Sequence, residues 1–176
     1  MDRRTAIKQL SLLGGAMLLA PSCTFSSERV SVALDNLKIT PSQESLLGDI
    51  VETLIPATDI PGAKELKLHH FVLVMVDGCR GPSDREAFQR GLGQIDALAE
   101  EEVGTAFSDC DAKQKEVFLT GLMDGTSAEP AYEDARAFLG MTKGYTIQGF
   151  LQSEYVMTEV NPYQLVPGHF DGCVTS

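Results

Sequence analysis

The sequence contains no tryptophan, three histidines and four cysteines, and it is short of cations: 14 Lys and Arg stand against 25 Asp and Glu, a formal net charge of −11. Phosphate binding draws on clustered Lys and Arg that release counterions, so this deficit argues against a nucleic-acid partner. It also disfavours adsorption to anionic lipid. No CxxCH, CxxC, HExxH or P-loop pattern is present, which removes the sequence signatures of covalent haem, redox dithiols, zincins and P-loop nucleotide sites. Gly91-Leu92-Gly93 is a lone GxG with Asp96 where the third glycine of a dinucleotide loop would stand, and it reads as helix surface.

Catalytic groupings are equally thin. On a helix the adjacent His69 and His70 project about 100° apart and are not expected to share a metal. A metal centre would need His169 and carboxylates from elsewhere in the chain. Glu100-Glu101-Glu102 is the densest acidic run and reads as a solvated helix face. Ser83 and Ser153 have no base beside them. No catalytic, cofactor-binding or metal-binding set is therefore assigned to this chain.

What is present begins at the amino terminus. Arg3-Arg4-Thr5-Ala6-Ile7-Lys8 is a twin arginine followed two apolar residues later by a lysine, and Leu10 to Ala20 is an apolar stretch. Eleven helical residues rise about 16 Å, roughly half a bilayer core, so the segment reads as an export signal and not a span. Arg3, Arg4 and Lys8 are its export residues. Leu19-Ala20-Pro21-Ser22-Cys23 resembles a bacterial lipoprotein box with Cys23 as the acylated residue, although Ala20 and Pro21 depart from the usual pattern. Ordinary signal-peptidase cleavage nearby is the alternative. Loss of residues 1–22 removes three cations and one acid, leaving 11 basic and 24 acidic residues and a net charge of −13. Residues 23–40 then read as a lipid-anchor tether, and the expected location is periplasmic and membrane-anchored.

Composition is that of a soluble globular protein, 43% hydrophobic and 22% charged in 176 residues, enough for one domain with a core. Thr40-Pro41-Ser42-Gln43 is a capping box with proline at the first helical position, followed by Leu46, Leu47, Ile50, Val51 and Leu54 at helical spacing. Pro56 and Pro61 stop that helix. Residues 66–79, with Phe71 to Val76, are compatible with helix or strand. Ser83-Asp84-Arg85-Glu86 reads as a second capping box, ahead of an apolar face at Phe88, Leu92, Ile95, Leu98 and Ala99. A further helix is expected over 111–124 on Val117, Phe118, Leu122 and Met123, and a long one from Pro130 through Tyr145. Residues 149–160 either continue it or form a short helix of their own. The expected fold is all-α: one bundle of about five helices over 41–160, with an irregular tail at 161–176.

Cys79, Cys110 and Cys173 remain once Cys23 is set aside. Exported cysteines tend to pair, and an odd number leaves one buried, free or joined to another chain. Cys110 suits a small core residue. Cys173 is placed to staple the tail back to Cys79, or else to bridge to a partner.

Several segments together resemble the gluconate 2-dehydrogenase subunit 3 family. They are Ile55-Pro56-Ala57-Thr58-Asp59-Ile60-Pro61-Gly62-Ala63-Lys64 with His69-His70-Phe71, then Gly149 to Glu154, and the closing Tyr163 to Cys173. The likeness covers most of 41–174, and its departure is the generic helical stretch 83–128. The resemblance implies a small non-catalytic subunit of a membrane-associated dehydrogenase. The large subunit, of glucose-methanol-choline type, holds FAD and oxidises a sugar, sugar acid or glycoside, and a c-type cytochrome often accepts the electrons. In this picture the twin-arginine signal serves the flavoprotein as passenger. Expected interface residues are Pro56, Asp59 and Pro61 in the loop and Tyr163, Leu165, Val166 and Phe170 in the tail, which equally suits a wrap around its own bundle. Two other readings are a free-standing periplasmic lipoprotein acting as a binding module and, more distantly, a metal-dependent hydrolase.

Overall fold

The computed structural model describes residues 30–125 and 129–161. Among them are five α-helices and no strand, as the apolar periodicity predicts. Helix α1 is Pro41–Leu54. Its start is fixed by the expected capping box: Gln43 N donates to Thr40 Oγ1 at 3.2 Å and Thr40 N donates to Gln43 Oε1 at 3.0 Å. Leu46, Leu47, Ile50 and Val51 are buried on one face. The helix ends where Ile55, extended ahead of Pro56, cannot continue it.

Helix α2 is Leu68–Cys79, so the undecided stretch is a helix. Leu68, Val72, Leu73, Val76 and Asp77 are buried while Val74 is exposed. That spacing is one helical stripe, and burial against neighbouring helices outweighs the β-preference of the valines.

Helix α3, Pro82–Val103, does not use the expected Ser83–Glu86 box. Pro82 holds the residue before it extended, so Gly81 becomes the N-cap, without a side-chain bond, and Ser83 falls inside the helix. The second capping box belongs to α4, Ala112–Asp124, where Asp111 and Gln114 bond reciprocally at 2.8 and 2.9 Å. Its core face also differs from the expected one. Phe118, Leu119 and Leu122 are buried, whereas Val117 and Met123 face outward. Between α3 and α4 a short 3₁₀ turn, Phe107–Asp109, inserts the buried Phe107 beside Phe118, ring centroids 5.8 Å apart.

Helix α5, Pro130–Leu151, is longer than expected and is followed by a separate π-helical turn, Val156–Val160. It touches each of the other four helices, and its most extensive contact is with α3. There Phe88 and Phe138 meet edge to face at 4.9 Å. The backbones approach because position 91 is glycine: a Cβ on Gly91 would collide with the Asp134 carbonyl and lie 2.5 Å from Phe138 Cβ. Arg90 grips Asp134 across the same seam with bonds of 2.7 and 3.1 Å. The Arg90 hydrogen bond, which outweighs burial, holds the Asp134 carboxyl below its ordinary range.

A methyl group at this seam must push α3 off α5. Gly91→Ala is expected to destabilise the fold by about 2 kcal/mol and lower Tm by roughly 4–8 °C in a thermal melt. Gly93→Ala, with no atom closer than Gln43 Nε2 at 3.8 Å, is expected to gain about 0.5–1 kcal/mol from helix propensity. Equal effects at both positions would show that the close approach is not what limits packing.

Candidate functional site: the amino-terminal strap, the histidine cluster and the Pro56 groove

Residues 30–39, the second half of the expected tether, are tied onto the bundle. Asp77, near the end of α2, accepts three successive backbone N–H bonds, from Asp35 at 3.1 Å, Asn36 at 2.8 Å and Leu37 at 2.7 Å. Burial pushes this carboxyl up, but the N–H donors of Asp35, Leu37 and Asn36 outweigh it and hold it below the usual range. Leu37 enters the core, with Val32, Leu34 and Ile39 packed against it. Arg85 donates to the Asp77 and Arg80 carbonyls at 3.1 and 3.0 Å, closing the turn between α2 and α3. The sequence carries a signal for Asp77 only in hindsight: it is the lone acid on the apolar stripe of α2.

Glu44 pins the other end of the strap. Both of its oxygens accept from Ser31 N, at 2.9 and 3.2 Å, and His70 Nε2 lies 3.0 Å from Oε1. His69 and His70, expected to point apart, have ring centroids 4.2 Å apart in an edge contact. The 100° between their Cβ directions does not fix where two-torsion side chains end. Glu44, His69 and His70 thus form a cluster whose ligand atoms lie within 4.8 Å of one another. Burial first, then the neighbouring His70, holds His69 down at about 4, so its ring is neutral at pH 7. Its Nδ1 is closed to solvent and has no hydrogen-bond partner among the described residues.

The Pro56–Pro61 loop is held rigid from α1. Glu52 accepts from Ala57 N at 3.0 Å and Lys64 N at 2.8 Å, and Ala63 N donates to Ile55 O at 2.9 Å. Gly62 is required here, because a Cβ would strike the Glu52 carboxylate and lie 2.8 Å from Ala57 N. Beside the loop a groove of about 780 Å³ runs between Leu54, Pro56 and Ala57 on one side and Ala112, Lys113 and Glu116 on the other. Lys64 and Lys115 meet Asp49 at 2.7 and 3.4 Å. Burial raises the Asp49 carboxyl, and the two lysines more than reverse it.

Of the expected interface residues, Pro56 lines the groove, Asp59 is exposed and accepts from Thr58 Oγ1 at 3.0 Å, and Pro61 is half-buried. Tyr163, Leu165, Val166 and Phe170 lie outside the described residues, as do Arg3, Arg4, Lys8, Cys23, His169 and Cys173. Cys79 is exposed at the end of α2, and Cys110 is buried as expected, with its thiol pushed up by burial. Sequence reasoning missed the exposed apolar residues Val74, Ile147 and Leu151, which stand off the main helical stripes. No helix among the described residues is long and apolar enough to cross a membrane. Glu100, Glu101 and Glu102 are exposed, as a solvated face requires.

The family model described as gluconate 2-dehydrogenase subunit 3 matches residues 41–168. No curated protein and no solved structure matches the chain.

A depressed carboxyl contributes stability that is present above its unfolded value, near 3.9, and lost as pH falls through its folded value. Asp77→Asn, which swaps an acceptor oxygen for an amide donor facing N–H groups, is expected to cost about 2–3 kcal/mol in urea unfolding at pH 7. The difference from the parent should shrink steadily below about pH 4. A pH-independent difference would mean the charge does not hold the strap.

Proposed function

The chain belongs to the gluconate 2-dehydrogenase subunit 3 family, and from that premise we propose that it is the non-catalytic small subunit of a periplasmic FAD-dependent dehydrogenase of the glucose-methanol-choline type. Its partner oxidises a sugar, sugar acid or glycoside, and this subunit aids export, assembly and stability of the flavoprotein. The observation that carries the reading is the family match over 41–168, on a chain that opens with Arg3-Arg4 and an apolar stretch. The twin-arginine route carries folded cargo, so a leader on this subunit delivers a flavoprotein that has already taken up FAD. Cys23 then supplies the lipid anchor, and a c-type cytochrome is the onward acceptor.

The strap gives this reading a mechanical basis. Backbone bonded from Ser31 through Leu37 to α1 and α2 fastens the described part of the segment that follows the leader onto the folded bundle. The partner needs a surface as well. An obligate interface buries upwards of roughly 2,000 Å² and is rich in apolar anchors. Ile147 and Leu151 lie one turn apart on α5 and are 46% and 58% exposed, and the Pro56 groove offers a second contact.

Two experiments test this. Co-expression of the Arg3→Lys/Arg4→Lys chain with its flavoprotein should strand dehydrogenase activity in the cytoplasm; periplasmic activity at the parental level would sink the carrier role. A pull-down on the parent chain should bring down a protein with a flavin absorption spectrum. Ile147→Asp/Leu151→Asp should lose that partner while changing the stability of the subunit alone by no more than about 0.5 kcal/mol per site. Full retention of the flavoprotein by this variant would remove the α5 face from the interface.

A further inference from the structure

We propose that Glu44, His69 and His70 bind one divalent first-row transition-metal ion of the zinc class. The three residues offer one ligand atom each within 4.8 Å of the others. A tetrahedral site with bonds of about 2.0–2.2 Å sets ligand atoms about 3.3 Å apart, so closure requires ring and carboxylate shifts on the order of 1 Å. Side-chain rotation supplies that without moving either helix. Two imidazoles and a carboxylate are the donor set that suits such ions, and three protein ligands leave a coordination position open.

Two features separate this cluster from an ordinary polar contact. The Glu44 carboxylate is buried and already oriented, because Ser31 N bonds both of its oxygens. A simple Glu44–His70 pair accounts for the 3.0 Å contact but leaves His69 Nδ1 closed to solvent and without a partner among the described residues. Buried polar atoms are ordinarily satisfied, and here the unsatisfied one is an imidazole nitrogen in a ring that touches His70. An ion would join α1, the first turn of α2 and, through Ser31, the strap. Its binding therefore stabilises the segment that connects the bundle to residues 1–29.

The test uses the full chain stripped with chelator. Titration with Zn²⁺ is expected to reach one ion per chain and, in saturating excess, raise Tm by about 5–10 °C. Co²⁺ should give the visible d–d spectrum of a low-coordinate nitrogen and oxygen site. His69→Asn, His70→Gln and Glu44→Gln should each weaken Zn²⁺ binding by more than the roughly 10–100-fold seen when only an outer hydrogen-bond partner is lost. His169→Gln should leave it unchanged. The Co²⁺ spectrum of the parent chain decides independently of whether any variant folds. Absence of a stoichiometric ion, an octahedral aquo-type cobalt spectrum, or binding that survives loss of both His69 and His70 overturns the proposal.

Discussion

The close approach of α3 and α5 at Gly91 governs the rest of the bundle. Both helices are 22 residues long, about 33 Å each, each contacts every other helix, and the contact between them is the most extensive in the bundle. Their relative position therefore fixes where α1, α2 and α4 find their cover. With hydrogen alone at position 91, Phe138 reaches Phe88 and Arg90 reaches Asp134. Interiors packed at crystal-like density transmit strain instead of absorbing it. A wider seam would loosen the Phe88–Phe138 contact and shift α5 against the three shorter helices together.

The second constraint is electrostatic. A carboxylate taken out of water costs several kcal/mol unless it is hydrogen-bonded. Among the described residues the fold buries two, Glu44 and Asp77, and directs both at the same short segment. Ser31 satisfies one; Asp35, Asn36 and Leu37 satisfy the other. Between these points Val32 and Leu34 pack on the core, so the strap is fixed by polar bonds at both ends and apolar contact in the middle. The conspicuous acids Glu100 to Glu102 do nothing comparable, because they are exposed.

Much of this was legible in the chain where local chemistry decides structure. Thr40, Pro41 and Gln43 mark a helix start within four positions, and the helix begins there. At Ser83 the same pattern misleads, since Pro82 moves the boundary back two residues, to an N-cap at Gly81. Residues 66–79 were ambiguous because their β-branched content opposes their period, and only tertiary burial of Val72, Leu73 and Val76 decides for helix. The site was less legible for a physical reason. Asp77 is paired with backbone N–H groups, which every residue but proline carries and no side-chain pattern announces. Glu44 meets His69 and His70 across 25 residues of sequence, and their convergence depends on how α1 packs beside α2 and on side-chain torsions. The Pro56 loop stood out because proline and glycine punctuate it, yet the grip of Glu52 on Ala57 and Lys64 is again a bond to backbone.

These two constraints bear together on the proposed carrier role. In that proposal the leader and its passenger are joined through this bundle. From the strap the path runs through Asp77 into α2 and through Glu44 into α1, and both helices rest on α5. The outward residues Ile147 and Leu151 lie on that same helix. The strap and the proposed partner face are thus connected through packed helices and buried hydrogen bonds. The buried acids on α1 and α2 fix the strap to the bundle at both ends, and the proposed carrier role draws on that attachment and not on any reactive group.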